Sequence, residues 1–319
     1  MRSKAFFVNG GYGRVVSSIP AFELYAKESD DDDFVIVCEG GTDAFKGHPD
    51  LDHRAYDNWH KNLFQEKLKD RDIVSPEPYR IWEYYNQQAS LAQGYDIAIN
   101  NKGLRKLDKP RMFLSKEEIL TGRQIINQVK EKLKKDKVVI IQPFGRAIQH
   151  VDGSFVDNTG RSIEFKDLKA LIRKLQENDF AVVTMAEMGF DFSKDKFTDD
   201  VAMPEQVALR NWTAAIKFAN HFVGCDSVGQ HLSYMVDTPS TVVLGPTYPI
   251  NVSYPDCDYF NIIDLGMKER VYDPIRIMPD ETTSRHNEHL MTMTSDIHNY
   301  IIDRVLGKPE PKEDDEQQK

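Results

Sequence analysis

Between Phe222 and Pro255 the chain reads FVGCDSVGQHLSYMVDTPSTVVLGPTYPINVSYP. An apolar strand at Phe222-Val223 runs into Asp226-Ser227. Gly229 follows, then His231 at the start of a helical run, Pro239, a β-branched strand from Thr241 to Leu244 and the turn Gly245-Pro246-Thr247. A strand that ends in a small polar turn and opens a helix leaves backbone N–H groups unpaired at the helix N-terminus, and those groups favour a bound phosphate. The spacing suits a nucleotide diphosphate. Taken singly, Asp226 reads as a helix cap and His231 as a core histidine; the length of the string is what points to a nucleotide site.

The same string resembles the C-terminal signature of the ADP-heptose:lipopolysaccharide heptosyltransferases (glycosyltransferase family 9), whose pattern is approximately D-[ST]-G-x-x-H-L-x-x-A…P…(V/L)-x-G-P-T-x-P. The Asp226-to-His231 spacing, Leu232, Pro239 and Gly245-Pro246-Thr247-x-Pro249 match; Gly229 lies one place later than in the pattern, with Val228 in its usual position. The resemblance implies the GT-B architecture, two Rossmann-like doubly wound α/β domains facing a cleft. It also implies a nucleotide-diphosphate sugar as co-substrate, with no other cofactor. On the donor side it points to Arg161, near the place of a lysine that touches the phosphates, and to Glu187, which would accept from ribose hydroxyls. Asp226, Ser227, Gly229 and Thr247 complete that rim, and His231 is either a donor ligand or a brace for the loop.

In the first glycine-rich loop the family pattern is G-D-V-V-x-x-x-P, with the aspartate as base. Here the loop reads Gly13-Arg14-Val15-Val16-Ser17-Ser18-Ile19-Pro20. Arginine has no acceptor and cannot serve as a base. Either another carboxylate takes the role or Arg14 binds an anionic group. Substitutes belong at strand C-termini, where open α/β sheets bind ligands. Glu39 and Asp43 meet that criterion, and Asp96 less well because it opens its expected strand. Asp43, with Arg14, is the catalytic candidate, although an aspartate after two glycines also reads as a turn former. Gly11, Tyr12, Glu39 and Trp82 are the candidate acceptor contacts.

The elements that must hold these residues follow from the apolar runs. Residues 4–9 read as a first strand, then the turn Gly10-Gly11-Tyr12-Gly13, a helix from about Val15 to Lys27 and a second strand at 34–38, a Rossmann-like start. Tyr95 to Asn100 reads as another short strand. Residues 137–143 restart the pattern as a buried parallel strand. A polar turn at Gly153–Gly160, a helix at Phe165–Glu177, a strand at Phe180–Met185 and a helix at Glu205–Ala219 lead into the signature. The expected divisions are an acceptor domain at 1–136, a donor domain at 137–292, a helix at 293–306 crossing back to the first domain, and a disordered tail at 307–319, too polar to pack.

Composition bounds the rest. The chain has 319 residues, 40% hydrophobic and 10% aromatic, enough for two domains with their own cores. No stretch approaches a membrane span, and the apolar run at Ala5–Val8 is too short for a signal peptide, which predicts a cytoplasmic protein with no integral membrane segment. Cys38, Cys225 and Cys257 are scattered, without metal-ligand spacing, and are expected as thiols. No pattern implies a metal, the acidic run Asp30–Asp33 reading as a solvated loop.

The net charge of −10 is uneven: residues 1–137 balance to +1 and the remainder to −11. Residues 102–135 hold eleven basic residues against four acidic ones, which could attract a polyanionic acceptor or could be a solvated helix face with Ile119, Ile125, Ile126, Val129 and Leu133 inward. The aromatics from Trp59 to Tyr85 could stack on a sugar or an extruded base, or pack a core. The expected function is transfer of a sugar to a surface glycan such as lipopolysaccharide core. Alternatives are a bacteriophage-type enzyme that glycosylates 5-hydroxymethylcytosine in DNA, and a non-catalytic nucleotide-sugar-binding protein. A dinucleotide-dependent oxidoreductase is weaker, because the glycine loop lacks the spaced fingerprint.

Overall fold

The structure, a computed structural model, describes residues 2–145, 148–151, 154–186, 189, 192, 200–271 and 289–309. The first half contains β1 (Lys4–Val8), α1 (Tyr12–Glu28), β2 (Val35–Cys38), β3 (Ala55–Asp57), β4 (Asp72–Val74), α2 (Trp82–Tyr85), α3 (Leu91–Asn100) and α4 (Lys116–Leu133). The second contains β5 (Lys137–Gln142), β6 (Ile148–Val151), β7 (Ser154–Asp157), α5 (Phe165–Glu177), β8 (Phe180–Thr184) and α6 (Leu209–Phe218). After these come β9 (His221–Cys225), α7 (Val228–Met235), β10 (Ser240–Leu244), α8 (Pro249–Val252), β11 (Phe260–Asp264) and α9 (Ser295–Val305).

The first sheet is parallel in the order β3-β2-β1-β4. Because side chains alternate along a strand, Phe6, Val8, Ile36 and Cys38 meet Val15, Ile19 and Phe22 of α1, while Ala5, Val35 and Val37 meet Leu68 on the other face. The second sheet is parallel in the order β11-β10-β9-β5-β8. β8, β9 and β10 are buried throughout, and β5 is buried beyond Lys137, as expected where helices cover both faces. Val138 and Ile140 face Ile126 and Val129 of α4 and Trp212 of α6, whereas Val139 and Ile141 face Leu168 and Leu171 of α5 and Ile301 of α9. In order of appearance the first sheet's strands run 3-2-1-4 and the second's 2-1-3-4-5. The strand order therefore reverses between β1 and β4 in one and between β5 and β9 in the other, the places where such sheets bind ligands.

Several expectations are corrected. Tyr95–Asn100 is not a strand but the end of α3, nucleated by a reciprocal capping box between Ser90 and Gln93. The expected polar turn at 153–160 includes β7, which pairs antiparallel with β6. The α6 helix begins at Leu209, four residues later than expected. α4 packs on α6, β5 and β8, with Gly122 pressed so closely on Ala214 that an added Cβ would stand 2.4 Å from its Cβ. α9 packs on α5 and β10 in the second half, where a crossing to the first domain was expected. Residues 310–319, most of the expected tail, lie outside the described residues.

Candidate functional site

At the second sheet's reversal β5 ends at Gln142 and β9 at Cys225. Ser227, in extended backbone (φ −152°, ψ 179°), opens α7 without a side-chain cap. Gln142 reaches in from β5 instead, its Oε1 accepting Gly229 N–H at 2.7 Å. That contact explains the glycine: a Cβ at 229 would lie 2.4 Å from Gln142 Oε1 and 2.5 Å from Phe222 Cζ. Asp226 is buried; one carboxylate oxygen accepts from Gln230 Nε2 at 3.0 Å and the other faces Arg161 Nη1 at 3.5 Å.

Arg161 is aimed by Thr159, whose Oγ1 accepts from its Nε at 3.1 Å. Asp157 ties this turn together by accepting from the N–H and hydroxyl groups of both Thr159 and Ser162. Burial would raise the Asp157 carboxyl, but those bonds hold it below its usual range. Burial likewise works against the Arg161 charge, and Asp226 foremost among its neighbours keeps it protonated. Gln230 Oε1 and Thr247 Oγ1 are buried here without hydrogen-bond partners among the described residues, and such atoms call for an explanation. Glu187 lies outside the described residues.

His231 sits mid-helix, its Nδ1 bonded to the Tyr254 hydroxyl at 2.7 Å. Burial pushes its imidazole down to about 4, so it is neutral near pH 7. Its other edge faces α1, where a Cβ on Gly13 would stand 3.1 Å from Cδ2. The ring braces α7 against Tyr254 and against the first domain.

The first sheet's reversal lies across from this site. Gly10, at φ +99°, donates its N–H to Glu39 Oε2 at 2.9 Å, and Gly11 opens α1. Arg14 donates from Nε to the Tyr95 hydroxyl at 2.9 Å and from Nη2 to Glu77 Oε1 at 3.0 Å, and lies 5.0 Å over the Tyr79 ring. Burial opposes its charge, but Tyr95, Tyr79 and Glu77 hold it protonated. Tyr79 also adds to what keeps Arg161 charged. Trp82 stands on α2 with 55% of its surface exposed.

Asp43 lies elsewhere, in a 3-10 turn (Thr42–Phe45) after β2. Burial raises its carboxyl above the usual range, with Arg210 offsetting only part of this. The Tyr12 hydroxyl is buried beside it, close enough for the two to interact although no bond meets hydrogen-bond geometry. Arg210, on α6, crosses the domain boundary: it bonds Glu118 at 2.6 and 2.9 Å and the backbone oxygens of Asp43, Lys46 and Phe113. A cavity of about 330 Å³ opens here, lined among others by Asp43, Lys46, Glu118 and Arg210. Asn251 makes a second crossing, to the backbone oxygens of Tyr84 and Ala89.

Five of the eleven basic residues of the stretch form ion pairs within the molecule. Lys102 and Arg105 pair with Glu28, Arg105 also with Asp96, Lys109 with Asp237, Arg111 with Glu23 and Lys135 with Asp179. Among the described residues no group of three or more His, Cys, Asp and Glu could hold a metal, and no helix is long and apolar enough to cross a membrane. Sequence reasoning missed Glu77, Gln142 and Arg210, and had Tyr79 only as one of an aromatic run. Only Glu77 carried a signal, between Pro76 and Pro78 after a β-branched run.

No family model matches the chain, and no curated protein matches it in sequence. Among solved structures it is similar to the glycosyl transferase family 9 protein of Veillonella parvula DSM 2008, with a TM-score of 0.68 and 11% identity over 96% of this chain and 98% of that one. It is also similar to Escherichia coli ADP-heptose lipopolysaccharide heptosyltransferase II, at a TM-score of 0.60 and 11% identity over 95% and 99% of the two chains. A third likeness is to the iron-containing dodecameric glycosyltransferase TibC of enterotoxigenic E. coli H10407, at 0.58 and 11% over 96% and 76%. The two parallel-sheet domains, matched over nearly the whole of the first two of these structures, give this chain the GT-B fold.

Proposed function

We propose that the protein is a glycosyltransferase that moves a sugar from a nucleotide-diphosphate donor to a hydroxyl of a surface glycan such as lipopolysaccharide core, working from the cytoplasm. The observation that carries this reading is the meeting of Arg161, Asp226 and the N-terminus of α7 at the β5/β9 reversal, with the Thr247 hydroxyl after β10 buried and unpartnered among the described residues. The diphosphate lies on the first-turn amides of α7 that Gln142 leaves free, with Ser227 and Thr247 as hydroxyl donors. Gly229 lets the backbone approach closely there. Arg161 meets the charge that builds on the departing diphosphate, Asp226 aims Arg161, and Glu187 takes the ribose hydroxyls. Gly11, Tyr12, Glu39 and Trp82 line the acceptor side. The donor is a co-substrate, and no further cofactor enters the reading.

ADP-heptose, named for one of the structural relatives, is the first donor to try. The test is thermal stabilisation and turnover with a panel of nucleotide sugars and lipopolysaccharide core. Stabilisation by one donor class with transfer to the glycan is expected; absence of stabilisation by every nucleoside diphosphate and nucleotide sugar would end the reading. One observation favours a second reading, a nucleotide-sugar-binding protein: the residue at the base position, Arg14, is fully engaged by Tyr95, Tyr79 and Glu77. Donor binding with neither transfer nor donor hydrolysis would select it.

A further inference from the structure

The motif at the first glycine loop lacks its carboxylate, and the fold brings one to the same place from 63 residues away. Arg14 occupies the aspartate position, and its Nη2 donates to Glu77 Oε1 at 3.0 Å. We propose that Glu77, presented by Arg14, is the general base that takes the proton of the acceptor hydroxyl. The inference rests on the glycosyltransferase reading above and names its missing catalytic group.

Three observations place Glu77 in this role. First, it follows β4 at the C-terminal edge of the first sheet's reversal, where an acceptor facing the donor crevice would lie. Pro76 before it and Pro78 after it restrict its backbone, which is extended at φ −117° and ψ 92°. Second, its side chain is 27% exposed, makes no cap to the 3-10 turn it begins, and has Arg14 as its partner among the described residues. Oε2 is thereby left open to a hydroxyl. Third, Tyr79 underlies Arg14 at 5.0 Å and also adds to what keeps Arg161 charged, which sets Glu77 on the side of the first domain toward Arg161.

Arg14 is in turn fixed by Tyr95, fully buried on α3, so the carboxylate is held from two elements. Arg14 is a positioning residue. Asp43 meets none of these conditions. In the strand order β2-β1-β4 it lies on the other side of β1, turned toward Tyr12 and Arg210 at the cavity against α4 and α6.

The step balances without a further reactant. The acceptor O–H gives its proton to Glu77 Oε2 while the oxygen lone pair forms the bond to the anomeric carbon. The bond from that carbon to the phosphate oxygen breaks, and its electron pair leaves on the nucleoside diphosphate, whose charge Arg161 meets. The proton passes from Glu77 to water after release. Attack opposite the leaving group inverts the anomeric centre.

The test uses the whole chain, ADP as the binding probe, and the nucleotide-sugar panel with lipopolysaccharide core for turnover. Glu77→Gln is expected to lower kcat about 100- to 10,000-fold, the range of a lost general base, with the Kd for ADP unchanged within about twofold. Glu77→Ala is expected to regain activity with added formate, and Glu77→Asp to keep part of it. Arg14→Lys is expected to lower kcat and leave ADP binding alone, which separates positioning from donor contact. Asp43→Asn is expected to cost less than about tenfold.

Glu77→Gln turnover within about threefold of the parent, or the larger loss falling on Asp43→Asn, overturns the inference and leaves the glycosyltransferase reading standing. Failure of the parent to turn over any donor ends both. Were Glu77→Gln to lose ADP binding and fold together, the formate rescue and Glu77→Asp would decide in its place: no rescue of a folded Glu77→Ala, with Glu77→Asp fully active, overturns it.

Discussion

Each sheet holds an arginine against a carboxylate at the place where its strand order reverses, and the two pairs are built differently. In the second crevice Arg161 and Asp226 meet at 3.5 Å; among the described residues Arg161 has one other bond, to Thr159, and the Thr247 hydroxyl is buried without a partner. In the first, Arg14 is closed in by a 2.9 Å bond to Tyr95, a 3.0 Å bond to Glu77 and the face of Tyr79. A buried charge needs partners. A pair left slack, with unsatisfied groups around it, is completed by a ligand, whereas a saturated arginine serves to hold what it touches. On the proposed function, the difference gives binding to Arg161 and positioning to Arg14.

The largest expected effect bears on what keeps the crevices opposed. Arg210→Met strips Glu118 of its cation and three backbone oxygens of their donor at the domain boundary. It should cost about 3 kcal/mol in denaturant unfolding, as removal of one member of a buried pair does. An unchanged midpoint would mean the domains are held by other contacts, Asn251 first among them.

The next effect divides the two arginines. Arg161→Met should weaken ADP binding by about 1.5–3 kcal/mol, the worth of a hydrogen bond to a charged group, with little change in Tm. Arg14→Met should do the reverse, lowering Tm and leaving ADP affinity in place. Equal behaviour of the two would break the comparison. The glycines sharpen it further. Gly229→Ala drives a Cβ into Gln142 and Phe222 and should cost about 1–3 kcal/mol. A Cβ on Gly11 meets nothing within 4 Å, so Gly11→Ala should be nearly neutral in thermal unfolding.

The same contrast explains how much could be read in advance. The second crevice is made by a strand, a turn and a helix in sequence, so Asp226, Ser227 and Gly229 could be placed from one string. β5, β8, β9 and β10 also announced themselves, because strands buried on both faces are continuous apolar runs. The first domain gave less. β3 and β4 are three residues each, too short for a periodicity. The alternation of Tyr95, Ile97 and Ile99 imitates a strand, although the Ser90–Gln93 box opens a helix. Glu77 joins Arg14 only through the pairing of β4 with β1, a register that no local pattern contains. Arg210, on the first turn of α6, reads as a solvated helix residue until the domain boundary closes over it.

The smallest expected effect is a pH dependence at the second crevice. Burial lowers His231 from 6.5 to about 4, the nearby Asp226 offsetting only part of this. The depressed imidazole binds no proton in the folded protein while the unfolded chain takes one up below about pH 6.5. Stability from this residue is therefore complete above pH 6.5 and is lost as pH falls toward 4. One unit below 6.5 the loss is about 1.4 kcal/mol. His221, bonded to Thr241 and also lowered to about 4 by burial, adds a loss of the same sign. His231→Gln should flatten the decline in urea unfolding free energy between about pH 7 and pH 5.5 by roughly 1 kcal/mol and leave the His221 share in place. A decline as steep as the parent's would show that His231 takes up its proton in the folded state, opening the brace between α7 and α1, and the second crevice would then be as loosely held in acid as its arginine pair is at neutrality.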